Sequence, residues 1–402
     1  MPNASTSPAA AKPVKSLWAG SLAHFIHDGC SDMLYLFFPL WQAQFALSFA
    51  EIGILKTLFS GTMASLQVPA SSLAPRLGAE KLLAWGTLLL GAAMLFLGNV
   101  DTIYFVGFLL VLGGLGSSTQ HPMSSALISD AYEQIDLRRK ALSTFNVAGD
   151  LGKLALPATG AFIVSQSNWM SAAQAAGVAT LCIAGWLFFY FPHQKPSLSK
   201  ISSAPSEQPT AAIGGWLNYK PFWSLSSIGV IDSATRMGFL TFFPFLLQQK
   251  GGSIADTGIA LSLIFAGGAC GKLACGRLAL RIGVLRSVIL TEIVTALCIV
   301  STLFLPLLPT LLLAPLLGVA LNGTSSVLYG SVPELVPPTH RQKAFAIFYT
   351  MTIGSGAISP FLYGLAGDVI GLSQVVLLLA CIVLATLPLT LPLRNRLRTE
   401  GT

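Results

Sequence analysis

The chain has 402 residues, 53% hydrophobic and only 10% charged, with a mean hydropathy of +0.71. Soluble domains carry about 25% charged residues, so this is a polytopic membrane protein, and its net charge of +7 does not point to nucleic acid. Cys30, Cys182, Cys270, Cys275, Cys298 and Cys381 are scattered through apolar runs with no metal-ligand spacing and no secreted disulfide framework, and read as small core hydrophobes.

A membrane-spanning helix needs about 20 mostly apolar residues. The chain offers twelve such runs, at 18–46, 52–74, 81–99, 103–130, 140–166, 170–192, 220–249, 256–279, 284–306, 309–335, 342–368 and 372–393. Backbone groups in hydrocarbon must bond within their own segment, so these runs are helices. Residues 1–15 form a polar tail, and the first apolar run is too long for a cleavable leader. Basic residues gather on alternate connections: Lys12 and Lys15, Arg76 and Lys81, Arg138 to Lys140, then Lys195, Lys200 and Lys220. Arg281 and Arg286, Arg341 and Lys343, and Arg394, Arg396 and Arg398 continue the pattern, with Lys250 as the exception. The positive-inside rule then places both tails, 1–15 and 394–402, in the cytoplasm.

The first span carries a polar row. In His24-Phe-Ile-His-Asp-Gly-Cys-Ser-Asp-Met-Leu-Tyr35, helical spacing aligns His24, Asp28 and Asp32, with His27, Ser31 and Tyr35 alongside. Ionisable groups in hydrocarbon are costly and mark ion or substrate paths. A carboxyl in a low-dielectric cavity has its ionised form disfavoured and can load and release a proton, so Asp28, Asp32 and His24 are expected to carry proton coupling. His27 is expected to relay that proton or touch substrate. The same face offers His24, His27, Asp28 and Asp32 as metal ligands, but all from one helix and without a cysteine motif, so no metal or cofactor is expected. His121 precedes Pro122 at a helix break in the fourth span, where freed carbonyls can line a cavity.

Asp150 and Lys153 in the fifth span stand at i, i+3, and Asp232 and Arg236 in the seventh at i, i+4, spacings at which each pair can neutralise itself. Both pairs suit an anionic or zwitterionic substrate, because Arg offers a bidentate fork to carboxylate or phosphate. Lys272 in the eighth span is a further buried cation. Asn146 and Asn322 complete the expected substrate-lining set. No nucleotide loop, zinc-protease helix or serine-hydrolase elbow is present.

Residues 193–218 are rich in Pro, Ser and Gly and read as a cytoplasmic linker between two halves, a bundle at 16–192 and a bundle at 219–393. The halves repeat. Asp28 and Asp232 differ by 232 − 28 = 204, the offset that also pairs Asp32 with Arg236. Ser48-Phe-Ala-Glu-Ile-Gly53 returns as Ser253-Ile-Ala-Asp-Thr-Gly258, each a Ser cap three residues before an acid. Ser71-Ser-Leu-Ala-Pro-Arg-Leu-Gly78 returns as Gly276-Arg-Leu-Ala-Leu-Arg-Ile-Gly283. Two parallel six-helix repeats with the site at their interface are a transporter arrangement, in which the charged pairs of the first and seventh spans would face one cavity.

The loops ending at Gly78 and Gly283 resemble the Gly-x-Leu-Ala-Asp-Arg-x-Gly pattern of the major facilitator superfamily. Its Asp is replaced by Pro75 and Leu280, so Arg76 is expected to pair with Asp130, and Arg281 with Glu334, as a cytoplasmic gate. Within that superfamily, Ser21-Leu-Ala-His24 with Asp28, Phe45 to Gly53, Gly116 to Ser125 and Phe145 to Pro157 are similar to fosmidomycin-resistance-type efflux proteins. Met123, Ala126, Asp150 and Lys153 depart from that group's pattern.

The resemblance implies an all-α membrane fold of twelve helices in two pseudo-symmetric bundles, monomeric, in a bacterial inner membrane, with the ninth span outside the cavity so that Glu292 is expected to be peripheral. It implies a secondary transporter rather than an enzyme, working by alternating access in the lipid bilayer. Proton antiport expelling a small polar or anionic compound or drug is the first expectation, and proton-coupled uptake of a small organic anion or nutrient the second. A receptor or membrane enzyme would need a signalling domain or a catalytic constellation.

Overall fold

A computed structural model describes residues 8–190, 219–337 and 340–394. The expected linker at 193–218 and the outer parts of both tails, with Lys195, Lys200, Arg396 and Arg398, lie outside the described residues, which hold helices and no strands. The helices are α1 (Pro8–Phe45), α2 (Phe49–Leu77), α3 (Ala79–Leu97) and α4, itself two helices end to end (Ile103–Ser117 and Gln120–Ala131). α5 (Ile135–Gln166), α6 (Trp169–Tyr190), α7 (Lys220–Gln249) and α8 (Ile254–Ile282) follow. α9 (Val284–Phe304), α10 (Leu307–Ser331), α11 (Arg341–Ile370) and α12, three helices end to end (Leu372–Leu384, Thr386–Leu389 and Leu391–Leu393), complete the twelve among the described residues.

Ten of the described helices are long and apolar enough to cross a membrane. The other two, α1 and α2, are 38 and 29 residues long. Their apolar runs are diluted by His24, His27, Asp28 and Asp32 in α1 and by Glu51, Lys56 and Gln67 in α2. The residues that weaken the membrane signal are therefore the ones hydrocarbon tolerates least.

The chain divides into two compact units, Met1–Phe37 with Leu58–Ile201, and Phe38–Thr57 with Ser202–Thr402. Lipid gives helices no hydrophobic reason to associate, so close packing through small residues holds each unit together. In the first unit, a Cβ on Gly152 of α5 would overlap the Phe25 carbonyl oxygen of α1, and one on Gly29 would lie 2.8 Å from the Gly152 carbonyl oxygen. A Cβ on Gly114 of α4 would lie 2.5 Å from the Phe59 carbonyl oxygen of α2.

The second unit repeats these crossings. A Cβ on Gly318 of α10 would overlap the Ile264 carbonyl oxygen of α8, and one on Gly356 of α11 would lie 2.6 Å from Ser233 Oγ of α7. The offsets are 318 − 114 = 204 and 356 − 152 = 204, so the sequence repeat is also a repeat of helix crossings.

The repeated loops have a backbone reason for their glycines. Gly78 and Gly283, between α2 and α3 and between α8 and α9, have φ of +87° and +91°, a region that side-chain-bearing residues rarely adopt. Lys250 has a local role: its ammonium donates to the Leu303 and Leu305 carbonyls at 3.5 and 2.5 Å, where the end of α9 leaves carbonyls unpaired. Partial burial lowers the pKa of that ammonium.

Both expected caps form. Ser48 N–H donates to Glu51 Oε2 at 2.8 Å and Glu51 N–H to Ser48 Oγ at 3.2 Å, and Ser253 with Asp256 does the same at 2.8 and 3.2 Å. Within the second unit, Asp368 near the end of α11 accepts the Phe49 and Ala50 N–H groups at 2.7 and 3.0 Å. The first turn of α2, which no intrahelical carbonyl can satisfy, is thus capped by three side chains. Phe49 also packs edge-on against Phe242 and Phe245, with centroids 5.8 and 5.4 Å away.

Asp368→Ala leaves two donors unpartnered and should cost about 1–2 kcal/mol, seen as a lower unfolding temperature in detergent. Asp368→Asn, which keeps one acceptor oxygen, should recover part of it. An unchanged unfolding temperature in both would show that the cap contributes nothing.

Candidate functional site

In the first unit, side chains from three helices converge on Asp28, whose side chain is 8% exposed. Its Oδ2 lies 3.0 Å from His24 Nε2 and 3.2 Å from Lys153 Nζ of α5. Its Oδ1 lies 2.9 Å from His27 Nδ1 and 3.7 Å from His121 Nε2 of α4. His121 also sits edge-on to both other imidazoles, with centroids 4.9 Å from His24 and 5.1 Å from His27. Lys153 therefore reaches across to another helix.

The His24 ring faces two acceptors. Its Nδ1 lies 2.9 Å from the Phe145 carbonyl oxygen, which can only accept, so Nδ1 carries a proton. Its Nε2 faces the Asp28 carboxyl at 3.0 Å. A neutral imidazole has one donor and one acceptor nitrogen, so Nε2 would then present a lone pair to a carboxylate. Both contacts are favourable only when one more proton lies between His24 and Asp28, on the ring or on the carboxyl. His27 donates from Nδ1 to Asp28, and its Nε2 is buried without a partner among the described residues, a second vacant proton acceptor in the cluster.

Local sequence explains the convergence. His24, His27 and Asp28 share a face of α1. α5 comes close because residue 149 is glycine: a Cβ there would lie 2.5 Å from His24 Cε1 and 2.8 Å from Asp28 Oδ2. His121 is placed by the break in α4. Pro122 has no N–H to continue the helix, and the hydroxyls of Ser118 and Thr119 take the Leu115 and Gly116 carbonyls at 2.7 and 3.1 Å. Gln120 Nε2 anchors the new helix start to Thr87 Oγ1 of α3 at 2.9 Å.

His24, Asp28 and His121 present ligand atoms within 4.8 Å of one another, the spacing of a metal site. The Lys153 ammonium already supplies the cation to this carboxylate at 3.2 Å and would repel a second. The donor set fits a charge-balanced polar cluster better than a divalent ion.

The second unit holds a narrow recess between α7, α10 and α11, lined by Asp232, Ser233, Arg236, Ser325, Tyr329 and Thr352 among others. Arg236 Nη1 donates to Ser325 Oγ at 3.4 Å, and Tyr329 Oη lies 3.3 Å from Thr352 Oγ1. Ser325 is the repeat counterpart of His121, since 325 − 121 = 204. Asp232 is 5% exposed and makes no ion pair within bonding distance of Arg236 among the described residues.

The remaining expected residues are more dispersed. Asp32 and Asp150 are half-buried and Asn146 is exposed. Asn322 donates to the Gly318 carbonyl at 3.2 Å and packs on Gly268. Lys272 lies on α8 with an exposed side chain, although it was expected to be buried. Arg76, Asp130, Arg281 and Glu334 are exposed, and neither expected gate pair forms an ion pair among the described residues.

Glu292, expected to be peripheral, is 1% exposed, and neither carboxyl oxygen has a hydrogen-bond partner among the described residues. Sequence reasoning also passed over Ser325, Tyr329 and Thr352, although the 204-residue offset from His121 was available as a signal for Ser325.

Gly149→Ala should destabilise the protein by about 1–3 kcal/mol through overpacking against His24 and Asp28, read as a lower unfolding temperature. Gly185→Ala, at a position with nothing within 4 Å of the added carbon, should be neutral. Equal unfolding temperatures for the two variants would show that α5 does not depend on this close approach.

Comparison with known proteins agrees with this architecture. The sequence model of one family, the Major Facilitator Superfamily, matches residues 20–314 and 225–401. The major facilitator superfamily multidrug transporter mfsC of Aspergillus fumigatus is 30% identical over 141 residues, 33% of this chain and 26% of that relative. The chain thus spans about a quarter of the relative's length in this match.

A bacterial homologue of the human lysosomal transporter Spinster, in an inward-facing and occupied conformation, is similar in structure. Its TM-score is 0.75 at 16% identity, covering 96% of this chain and 98% of that one. A mutant of the nucleoside transporter NupG has a TM-score of 0.76 at 14% identity, covering 92% and 98%. At such identities the likeness is one of fold. With the family matched over most of its length, twelve helices in two repeated units and polar clusters buried within them, the chain belongs to the Major Facilitator Superfamily, whose fold is that of membrane transporters.

Proposed function

We propose that this protein is a proton-coupled secondary transporter that expels a small polar, anionic or zwitterionic compound in exchange for protons. The observation that carries the reading is the placement of His24 between the Phe145 carbonyl and the Asp28 carboxyl, which calls for an extra proton in a cluster that also holds Lys153.

The coupling follows from competition for Asp28. Lys153 and the His24 proton share its Oδ2, and the Lys153 ammonium is the cation an anionic substrate would reach. A substrate with a cationic group of its own would displace the proton from Asp28, and exchange results. Its anionic group would take Lys153. The resemblance of the first, fourth and fifth spans to fosmidomycin-resistance-type efflux proteins, and the partial match to a relative named a multidrug transporter, support efflux.

A second reading, uptake with protons, follows from the same ammonium. A substrate that presents only an anion to Lys153 strengthens the hold on the proton, and the two travel together. In either reading Asp28, His24, His27, His121 and Lys153 are the coupling residues, and Asp232, Arg236 and Asn322 of the second unit belong to the substrate path. The charge pattern of the loops, with Arg138 to Lys140 and Arg281 to Arg286 on one side, supports cytoplasmic tails in a bacterial inner membrane. The protein acts as a monomer in this reading.

The test is proton movement in proteoliposomes with an internal pH dye, using a panel of organic anions, zwitterions and phosphonates. Wild type should show a substrate-dependent pH change, and its sign separates exchange from cotransport. Asp28→Asn should reduce it by about tenfold or more, the equivalent of one lost charge-assisted contact of roughly 1.5–3 kcal/mol. Substrate flux without any pH change in wild type would sink the proton-coupled reading.

A further inference from the structure

Glu292 lies on α9, outside the cluster around Asp28, in the second unit. Its neighbours join it to the recess. Thr291, one residue before it, receives a hydrogen bond from Thr324 Oγ1 of α10 at 2.7 Å. The next residue of α10, Ser325, accepts from Arg236 at 3.4 Å. Asp232 and Arg236 of α7 are the charged groups that act on Glu292. α10 and α12 carry no charged side chain, and α8, which carries Lys272, Arg277 and Arg281, contributes none to it.

Charge balance decides its state. Two buried carboxyls, Asp232 at 5% and Glu292 at 1% exposure, share one cation. An ionised carboxylate with no donor in an apolar surround is far costlier than a neutral acid. Neither oxygen of Glu292 has a donor among the described residues, so the missing counter-charge is supplied by a proton on Glu292. Even the neutral acid leaves a hydrogen-bonding group unsatisfied, at about 1–3 kcal/mol. A merely structural side chain at this position would be better replaced by an apolar one. Intramembrane acids of this kind point to function, with the nearest cation as partner.

We propose that Glu292 is a second proton-carrying carboxyl, which gives up its proton when the Arg236 guanidinium turns from Ser325 toward it. The reading extends proton coupling to the second unit and does not depend on the Asp28 cluster being correct. Arg236 stays protonated throughout. The proton leaves as Arg236 arrives, and a carboxylate–guanidinium pair replaces the neutral acid. Protonation reverses the step and returns Arg236 to Ser325 or to an anionic substrate.

Infrared spectroscopy of the purified full chain, titrated without substrate, tests this directly. Wild type should show the carbonyl stretch of a protonated carboxylic acid that is missing from Glu292→Gln, a substitution that preserves volume. The band should disappear as pH rises, and in Arg236→Gln it should persist about one pH unit or more higher, because the attracting cation is gone. Should Arg236→Gln not fold, Arg236→Lys, which keeps the charge without the fork, should lose the band near the wild-type pH. A wild-type spectrum unchanged by Glu292→Gln would overturn the proposal, as would a band indifferent to the loss of charge at 236. Because no gradient or substrate is used, a failed proteoliposome experiment would leave this result standing.

Discussion

Hydrocarbon does not tolerate unbalanced charge, and the first unit is arranged around that constraint. A charged side chain at the centre of a membrane helix costs about 2.5–3.5 kcal/mol by insertion measurements. Asp28 and Lys153 would together cost about twice that if each stood alone. Paired at 3.2 Å, with His24 and His27 at 3.0 and 2.9 Å on the same carboxyl, they make several charge-assisted contacts worth about 1.5–3 kcal/mol each. These contacts are large enough to offset the cost, but only if α5 and α4 deliver their side chains to α1. The glycines at 149 and 152 and the break before His121 are the means of delivery.

Much of the fold was legible because membrane helices obey simple rules. Apolar length located the spans, and the 204-residue offset read in the charged rows reappears in the helix crossings at Gly114 and Gly318. Ser48 with Glu51 and Ser253 with Asp256 formed the caps their spacing announced. Part of the site was legible for the same reason: the row of His24 and Asp28 is a property of one helix.

What could not be read was anything decided between helices. Spacing pairs Lys153 with Asp150, three residues away, because a single helix is all that spacing describes. The ion pair with Asp28 exists because α1 and α5 touch at Gly152, a fact of packing. Glu292 is a similar case: only the fold shows that its carboxyl is enclosed without a donor among the described residues. The expected gate pairs, Arg76 with Asp130 and Arg281 with Glu334, rested on symmetry alone. All four residues are exposed, where ion pairs contribute little.

The two units share a scaffold and differ in how they neutralise charge. Asp28 and Asp232 occupy equivalent positions, as do His121 and Ser325, yet the counterpart of Lys153 is Ala357 (357 − 153 = 204). In the first unit, the cation therefore comes from another helix, so the balance at Asp28 depends on the α1–α5 crossing and on anything that competes for Lys153. In the second, the cation Arg236 rides on the same helix as Asp232, and movement of α7 carries both together. An arrangement of that kind cannot sense its surroundings unless a second acid lies on a different helix. Glu292 on α9 is such an acid, which makes the burial that looks wasteful in isolation the feature that gives the second unit a charge balance able to change.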